Sequence, residues 1–330
     1  MRDVVGFGAL NADLIYEGVK PHYLSRYQLK PGEEIFLPPE KIQELEELAR
    51  KKGKLIIKSG GGSAANTVVA LARFGFQTGF IGITGDDEDG LFLRNDLKEN
   101  GVDTSHILQQ RNIRSGRCFS FLHQGERTLM VFSGANDSLS GEEIDISYSI
   151  NTRFFHLSSF VGEKPFTAQR KLIELICQHY PPVKISFSPG EIYVRRGIAS
   201  LLPIINKSYL LFINQQEMEN LTGENFLKAG ETLLKTGPRI VVCTRGGKGS
   251  LIFSETGIQE IPAEKTEKVT DPTGAGDVYA AGFLAGLLLN LPLLTCGQIA
   301  TRMASQSIKG YGRKSYPDRK NFETNWQELK

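Results

Sequence analysis

Short apolar runs alternate with helix-like stretches along most of this chain. The runs are rich in Val, Ile and Phe, a composition that predicts strands buried on both faces. They lie at residues 4–8, 80–84, 154–158, 184–187, 210–213 and 240–244. Apolar residues at helical spacing occupy residues 64–74, 166–179, 215–221, 226–234 and 278–289. This alternation predicts an α/β fold built on a doubly wound, mostly parallel sheet.

Two segments interrupt the alternation. Residues 14–58 contain a charged, helix-like stretch and a strand-like piece, and residues 115–132 predict a hairpin that turns at Gln124 and Gly125. Insertions at the strand ends of an α/β fold tend to cover the ligand site. We therefore expect a small projecting sheet that acts as a lid, inserted in one domain that spans residues 1–330.

The arms of the hairpin carry Phe119, Phe121 and Leu129. These side chains cannot all face a ligand, and an exposed apolar face needs a cover. The pattern predicts homodimerisation through the lid.

Composition narrows the class of partner. The chain has 330 residues, 40% of them hydrophobic, which is enough for a large core. Its formal net charge of +2 gives no electrostatic reason to expect nucleic acid or an anionic membrane as a partner. The apolar run after Met1 is too short for a signal peptide, and the four cysteines are isolated in sequence. We expect a cytoplasmic protein with a small-molecule partner.

The loop DPTGAGD, residues 271–277, leads directly into an apolar helix. The first backbone N–H groups of a helix have no partner within it, and the helix dipole favours negative charge there. The pattern therefore predicts an anion site on Gly274, Ala275 and Gly276.

A second glycine cluster, SGGGSAAN, follows the strand-like KLIIK. Gly60, Gly62 and Ala65, with Asp86 about 20 residues further on, match the spacing of a dinucleotide fingerprint. This match leaves an NAD-dependent oxidoreductase open as an alternative. No G-x-x-x-x-G-K-[ST] motif occurs, so a P-loop is excluded.

Taken together, the motifs resemble those of the ribokinase-like, pfkB-type family of carbohydrate and nucleoside kinases. The stretches that carry the resemblance are GALNADLI, GGGSAANTVVALARFG, ERTLMVFSGAN, NQQE, and TRGGKGS followed by DPTGAGDVYAAGFLAG. The resemblance implies a three-layer α/β/α sandwich with a projecting β-sheet lid. It also implies an ATP-dependent enzyme that phosphorylates a hydroxymethyl group of a sugar or nucleoside.

The same resemblance assigns roles on the phosphate side. Asp277 would be the catalytic base, and the backbone amides of Gly274, Ala275 and Gly276 would form the anion hole for the transferring phosphoryl group. A helix cap is the simpler role for Asp277. Asn214 and Glu217 match the family's NxxE signature, which helps to place Mg²⁺ and the ATP phosphates, often through water; capping is again the alternative for Asn214. The residues that would lie along the ATP phosphates are Thr244, Gly246, Gly247 and Gly249.

On the acceptor side, Asn11 and Asp13 match an early N-x-D pattern that would bind sugar hydroxyls, although a turn after the first strand is also consistent with them. The remaining acceptor residues implied by the resemblance are Gly61, Gly62 and Asn66.

The chain departs from the family pattern at three positions. Ser63 stands where dedicated ribose kinases tend to have lysine, Ser188 where relatives often have aspartate, and Arg313 where many have a small residue. The first departure favours keeping nucleosides as an alternative to sugars. A monovalent cation such as K⁺ is a weaker expectation, and a catalytically inactive sugar-binding regulator remains an alternative from another class.

Overall fold

The computed structural model of the protein describes residues 1–24, 27, 34–123, 126–266 and 269–329. Gln124 and Gly125, at which the predicted hairpin turns, lie outside these residues. Within the described ranges, the strands form two separate sheets of nine and five members.

The large sheet is parallel except at one edge, where two neighbouring pairs are antiparallel. Its strands, in spatial order, are β14 (Gly257–Ile261), β13 (Ser250–Ser254), β12 (Ile240–Thr244), β11 (Leu210–Asn214), β10 (Lys184–Ser188), β9 (Thr152–Ser158), β1 (Arg2–Phe7), β5 (Thr78–Gly85) and β6 (Asp103–Gln110). Every predicted strand of the alternating pattern belongs to this sheet. The continuous Val, Ile and Phe runs arise because helices cover both faces of these strands.

Helices pack on the two faces of the large sheet and complete a three-layer sandwich. One face is covered by α3 (Ser63–Arg73), α4 (Glu88–Glu99), α11 (Ala275–Leu288), α12 (Leu293–Ser307) and α13 (Arg319–Gln327). The other is covered by α5 (Ile146–Ile150), α6 (Glu163–His179), α7 (Gly190–Val194), α8 (Ile198–Ile205), α9 (Gln215–Thr222) and α10 (Phe226–Lys235). Adjacent strand residues such as Val4 and Val5 point into opposite layers, which confirms the expected α/β fold.

The small sheet is built from the two segments that interrupt the alternation. Its order is β3 (Glu34–Phe36), β8 (Glu126–Phe132), β7 (Gly116–His123), β2 (Asn11–Glu17) and β4 (Lys54–Gly61). The sheet thus extends three residues beyond the predicted segment at each end of 14–58. Asn11 and Asp13 lie in β2 and do not form a turn.

The outer face of the small sheet is covered by the chain itself. Helices α1 (Pro21–Leu24) and α2 (Ile42–Lys52) pack over it, and Leu45 and Ala49 of α2 are completely buried there. Phe119 and Phe121 belong to this cluster and are 0% and 1% exposed. The exposed apolar face that would require a second subunit is therefore absent at these two phenylalanines.

The glycine cluster does not occupy a dinucleotide-binding position. In the Rossmann arrangement, the strand before the glycines is part of the main parallel sheet. Here the preceding strand, β4, pairs antiparallel with β2 in the small sheet. In the part of the chain that the structure describes, no helix combines the length and the apolar character needed to cross a membrane.

Candidate active site

The predicted site residues lie where the large sheet meets the small one. Asn214 and Thr244 are the last residues of β11 and β12 and face each other in the parallel register. Two helices begin nearby, α3 after Gly62 and α11 after Gly274. Ligands of open α/β sheets bind at this carboxyl end of the strands.

Asp277 lies in the first turn of α11 and is held through both carboxylate oxygens. Ser63 Oγ donates to Oδ1 at 2.7 Å, and Asn66 Nδ2 donates to Oδ2 at 2.8 Å. Burial raises the pKa of Asp277 to about 6, although these two hydrogen bonds oppose the shift. A carboxylate with a pKa near neutrality and a fixed orientation is suited to accept a proton.

Each of the three consecutive glycines before α3 has its own steric reason. A β-carbon at Gly60 would overlap the guanidinium of Arg313, and one at Gly61 would overlap the carboxylate of Asp13. At Gly62 a β-carbon would overlap the carbonyl of Ala9, and its φ of +97° lies in the region that favours glycine. The glycine run therefore lets the end of β4 approach charged groups closely.

Replacing Gly61 with alanine is expected to displace Asp13 while leaving the fold intact. The overlapping atoms belong to the end of a side chain, which can move. A lost hydrogen bond to a charged group is worth about 1.5–3 kcal/mol, so the KM for the acceptor should rise by about 10- to 100-fold, with the KM for ATP unchanged. Steady-state kinetics with each substrate varied would measure this.

Gly62→Ala is the matched contrast for Gly61→Ala, since there the clash is with backbone and φ is positive. It should lower the melting temperature, which Gly61→Ala should not. An unchanged acceptor KM in Gly61→Ala would contradict the placement of Asp13 in the acceptor site.

Asn11 is positioned by a buried side chain that the sequence did not single out as a site residue. Asn136 Nδ2 donates to Asn11 Oδ1 at 2.9 Å, and Asn136 Oδ1 accepts from the backbone N–H of Leu10 at 2.9 Å. Asn136 is 1% exposed. The signal for it was present, because Asn136 ends the ERTLMVFSGAN stretch.

The GAGD loop offers an open helix N-terminus. Gly274 adopts a left-handed conformation at φ +73°, and a β-carbon at Gly276 would meet nothing within 4 Å. The N–H of Ala275 already donates to the carbonyl of Pro272 at 3.2 Å. Of the three amides predicted to bind an anion, that of Ala275 is therefore partly engaged in a turn.

Asn214 and Glu217 form a reciprocal cap at the start of α9. Asn214 Oδ1 accepts from the N–H of Glu217 at 2.8 Å, and Glu217 Oε2 accepts from the N–H of Asn214 at 3.1 Å. Burial raises the pKa of Glu217 to about 7, and the nearby carboxylates of Glu191, Glu34 and Asp277 add to the shift. The cap expected as the alternative role of Asn214 is therefore present. Several carboxylates lie near Glu217, so negative charge is concentrated at the start of α9.

The loop after β12 borders a shallow cleft of about 300 Å³. The cleft is lined by Asn214, Gln215, Gln216, Thr244, Arg245, Gly246 and Lys248. A β-carbon would meet nothing at Gly246 or Gly247, whereas one at Gly249 would overlap the carbonyl of Ile261. Gly249 therefore serves the turn into β13, while Gly246 and Gly247 leave the cleft accessible.

Sequence reasoning noted Arg313 and Ser63 only as departures from a pattern, and it missed Asp96 and Tyr316. Arg313 is 3% exposed and bonded to Asn66 and Asp96, and Ser63 bonds directly to Asp277. Tyr316 is buried, and its hydroxyl lies where a β-carbon of Gly274 would point. The available signal was Gly60, because a β-carbon at this first glycine of the run would overlap the Arg313 guanidinium.

The chain belongs to the pfkB family of carbohydrate kinases, since residues 39–319 match that family. A protein of Archaeoglobus fulgidus described as an uncharacterized sugar kinase is 32% identical over 251 residues, which are 74% of this chain and 97% of that protein. An ATP-dependent ribose-1-phosphate kinase of Halopiger xanaduensis is also 32% identical, over 79% of this chain and 84% of that protein.

Solved structures agree on the fold. The adenosine kinase of Sinorhizobium meliloti superposes with a TM-score of 0.88 at 22% identity and covers 99% of both chains. The chain is therefore a kinase with the ribokinase fold, and the oxidoreductase alternative is not supported.

Proposed function

We propose that the protein transfers the γ-phosphoryl group of ATP to a hydroxymethyl group of a sugar or nucleoside, with Asp277 as the base. The observation that carries this proposal is the Asp277 carboxylate, fixed by Ser63 and Asn66 in the first turn of α11. The pKa of this carboxylate is raised, and the neighbouring residue Gly276 lies at the open N-terminus of the helix. An inactive regulator would have no need for this arrangement.

The reaction follows from these positions. The acceptor hydroxyl loses its proton to Asp277 as its oxygen bonds to the γ-phosphorus, and the bond from that phosphorus to the β–γ bridging oxygen breaks. The bond electrons leave with ADP. The amides at Gly274 and Gly276 stabilise charge on the transferring group, and Asn11, Asp13, Gly61, Gly62 and Asn66 orient the acceptor. Thr244, Gly246 and Gly247 adjoin the phosphates of ATP.

The residues around Glu217 fit a magnesium ion. Its raised pKa reflects burial and neighbouring carboxylates, and a cation would compensate this excess negative charge. Among the described residues, no group of three or more His, Cys, Asp or Glu side chains is placed to hold a metal ion. Glu217 and Asn214 would therefore bind Mg²⁺ through water, and ATP oxygens would supply the direct ligands. When bound, the ion neutralises charge on the phosphates.

A monovalent cation such as K⁺ would bind at the loop that precedes α11. Asp271 is 1% exposed, and the buried Thr273 Oγ1 has no hydrogen-bond partner among the described residues. Backbone N–H groups of Thr270 and Asp271 donate to the carbonyl of Ile308, which draws another polar segment close. Comparing turnover in potassium chloride and choline chloride tests this proposal.

One row of the small sheet favours a nucleoside as the acceptor. Asp13, Cys118, Val131 and Phe36 are register partners on successive strands, so their side chains share one face. Three strand spacings, or about 14 Å, separate Asp13 from Phe36. Phe36 is 37% exposed. The row thus presents a carboxylate for ribose hydroxyls and, further along, an aromatic ring for a base.

Phe36→Ala should raise the KM for nucleosides by about tenfold, the scale of one aromatic contact, and leave the KM for free pentoses unchanged. Leu175→Ala is the matched control, because Leu175 is 39% exposed on α6, away from the small sheet. Initial rates with both acceptor classes measure the difference. Equal KM changes for nucleosides and pentoses would contradict a base site at Phe36.

A screen for ATP consumption against pentoses, hexoses and nucleosides, with and without Mg²⁺, tests the proposed function as a whole. Magnesium-dependent formation of ADP together with a phosphorylated acceptor is the expected result. Acceptor binding without ADP formation would identify a regulator instead.

We also propose that residues 1–330 act as one kinase domain, with residues 14–58 and 115–132 as its lid, and that it works in the cytoplasm. The isolated positions of the four cysteines in the sequence are consistent with this compartment.

Homodimerisation through the small sheet stays a proposal with reduced support. Phe119 and Phe121 are covered by α2, and Leu129 is half-buried. The two edge strands still carry exposed apolar side chains, since Phe36 on β3 is 37% exposed and Leu55 on β4 is 46% exposed. Sedimentation at micromolar concentration, with acceptor present, distinguishes a monomer from a dimer.

A further inference from the structure

We propose that Arg313 is a positioning residue for phosphoryl transfer, which acts on the carboxylate of Asp277 through the side chain of Asn66. The inference rests on the proposed role of Asp277 as the base. It assigns a task to the position at which this chain departs from the family pattern.

The guanidinium of Arg313 is buried, and each of its three nitrogens has a partner. Its Nε donates to Asn66 Oδ1 at 2.9 Å, one terminal nitrogen donates to the Gly61 carbonyl at 3.2 Å, and the other forms an ion pair with Asp96. Its backbone N–H donates to Ser59 Oγ at 3.2 Å. A planar group held at three edges has one orientation.

This orientation is passed on to Asn66. An amide side chain has a donor end and an acceptor end, and either end can face a given neighbour. Because Arg313 binds the oxygen of Asn66, the NH₂ group must point to Asp277 Oδ2, 2.8 Å away. Asn66 is 6% exposed, so water does not offer it an alternative partner. The Asp277 carboxylate is thereby fixed in one plane.

The charge of Arg313 acts on Asp277 as well. The ionisable groups that interact electrostatically with this carboxylate are Arg313, Glu217 of α9 and the buried Tyr316, and Tyr316 in turn interacts with Asp13 and Asp271. Burial raises the pKa of Asp277, and Arg313 lowers it. Removing the cation should therefore raise this pKa further, and the acid limb of the kcat/KM profile should move to higher pH.

Gly60 leaves the space that the Arg313 guanidinium occupies. A β-carbon at Gly60 would overlap both the Arg313 guanidinium and the Asp96 carboxylate. The end of β4 consequently packs against the ion pair of Arg313 and Asp96, and Arg313 also donates to the Gly61 carbonyl.

Arg313→Met tests the proposal directly. We expect kcat to fall by about 10- to 100-fold at pH 7, the scale of a small misplacement of a catalytic group. The KM for ATP should not change, and the acid limb should shift upward. Because Asp96 would lose its partner, the variant is compared with the double variant Arg313→Met, Asp96→Asn. The double variant should recover melting temperature but neither kcat nor the pH limb.

Arg313→Lys separates charge from orientation. Lysine keeps the cation, so the acid limb should stay close to that of wild type, but it lacks the planar fork and kcat should still fall. Wild-type kcat and pH profile in both the Met and the double variant, with only the melting temperature altered, would show that Arg313 is purely structural and the proposal wrong. Full turnover in Asp277→Asn would instead overturn the proposed base, and this inference with it.

Discussion

Turnover of the Asp277→Asn variant is expected to fall by about 10²- to 10⁴-fold, the usual scale for loss of a general base. Asparagine has nearly the same volume, and the change removes no helix cap, because the N-cap of α11 is Gly274 and the expected capping role of Asp277 is wrong. Its oxygen can accept from Asn66, and its NH₂ group can donate to the hydroxyl of Ser63. The side chain therefore keeps its place and loses only the ability to take a proton.

Binding and stability should be preserved in this variant. Burial raises the pKa of Asp277 to about 6, above its ordinary value, so the ionised carboxylate costs folding free energy as the pH rises through that range. The neutral amide avoids this cost, and the melting temperature at pH 7 should not fall. In wild type the same pKa predicts that kcat/KM declines as the pH drops below about 6.

Single-turnover kinetics and calorimetry give these quantities. Asp145→Asn is the matched control, since Asp145 caps the short helix α5 from the surface and lies outside the site. Near-normal turnover by Asp277→Asn with its true acceptor would contradict the role of Asp277 as the base.

Gly276→Ala should lower turnover by about 10²- to 10³-fold, the effect of disabling one amide of an anion hole. The added methyl group points into space where no atom lies within 4 Å, and φ at this residue is not positive. The protein alone therefore gives no reason for any change. Only a ligand that occupies this space, which we take to be the transferring phosphoryl group, would be displaced.

Stability separates this effect from misfolding. Alanine is favoured over glycine within a helix by about 1 kcal/mol, so the melting temperature of Gly276→Ala should be equal to or above that of wild type. Gly274→Ala provides the contrast, because φ there is +73° and the methyl group would overlap the Tyr316 hydroxyl. It should lower both activity and melting temperature. Unimpaired turnover in Gly276→Ala would show that the transferring phosphoryl group does not occupy the space next to this loop.

The sequence predicts the layers of the fold because its signals are local. A run such as IVVC in β12 is apolar on both faces, and this requires helices above and below. The strand at Asn11 was less certain because two of its polar residues belong to a site. Even so, Asn11, Asp13 and the apolar residues between and after them alternate as a half-buried strand does.

The positions of the two glycine loops before α3 and α11 were also predictable, because glycines before a helix have a direct physical meaning. The role of Arg313 was not, since its partners Asp96 and Asn66 lie 217 and 247 positions away in the chain. No periodicity or spacing links residues so far apart. A single arginine between Gly312 and Lys314 resembles any surface charge until the fold brings these partners together.

The division of the site between two sheets has a consequence for wasteful hydrolysis. Asp13 belongs to the small sheet, whereas Asp277 and its supports belong to helices of the main body. In the proposed mechanism, Ser63 and Asn66 therefore hold the base without any contribution from Asp13. An acceptor held by Asp13 joins the two parts and fills the space in which water would attack. Under the proposed roles, a bound acceptor would therefore also protect ATP from hydrolysis, because it would occupy the position of the attacking water.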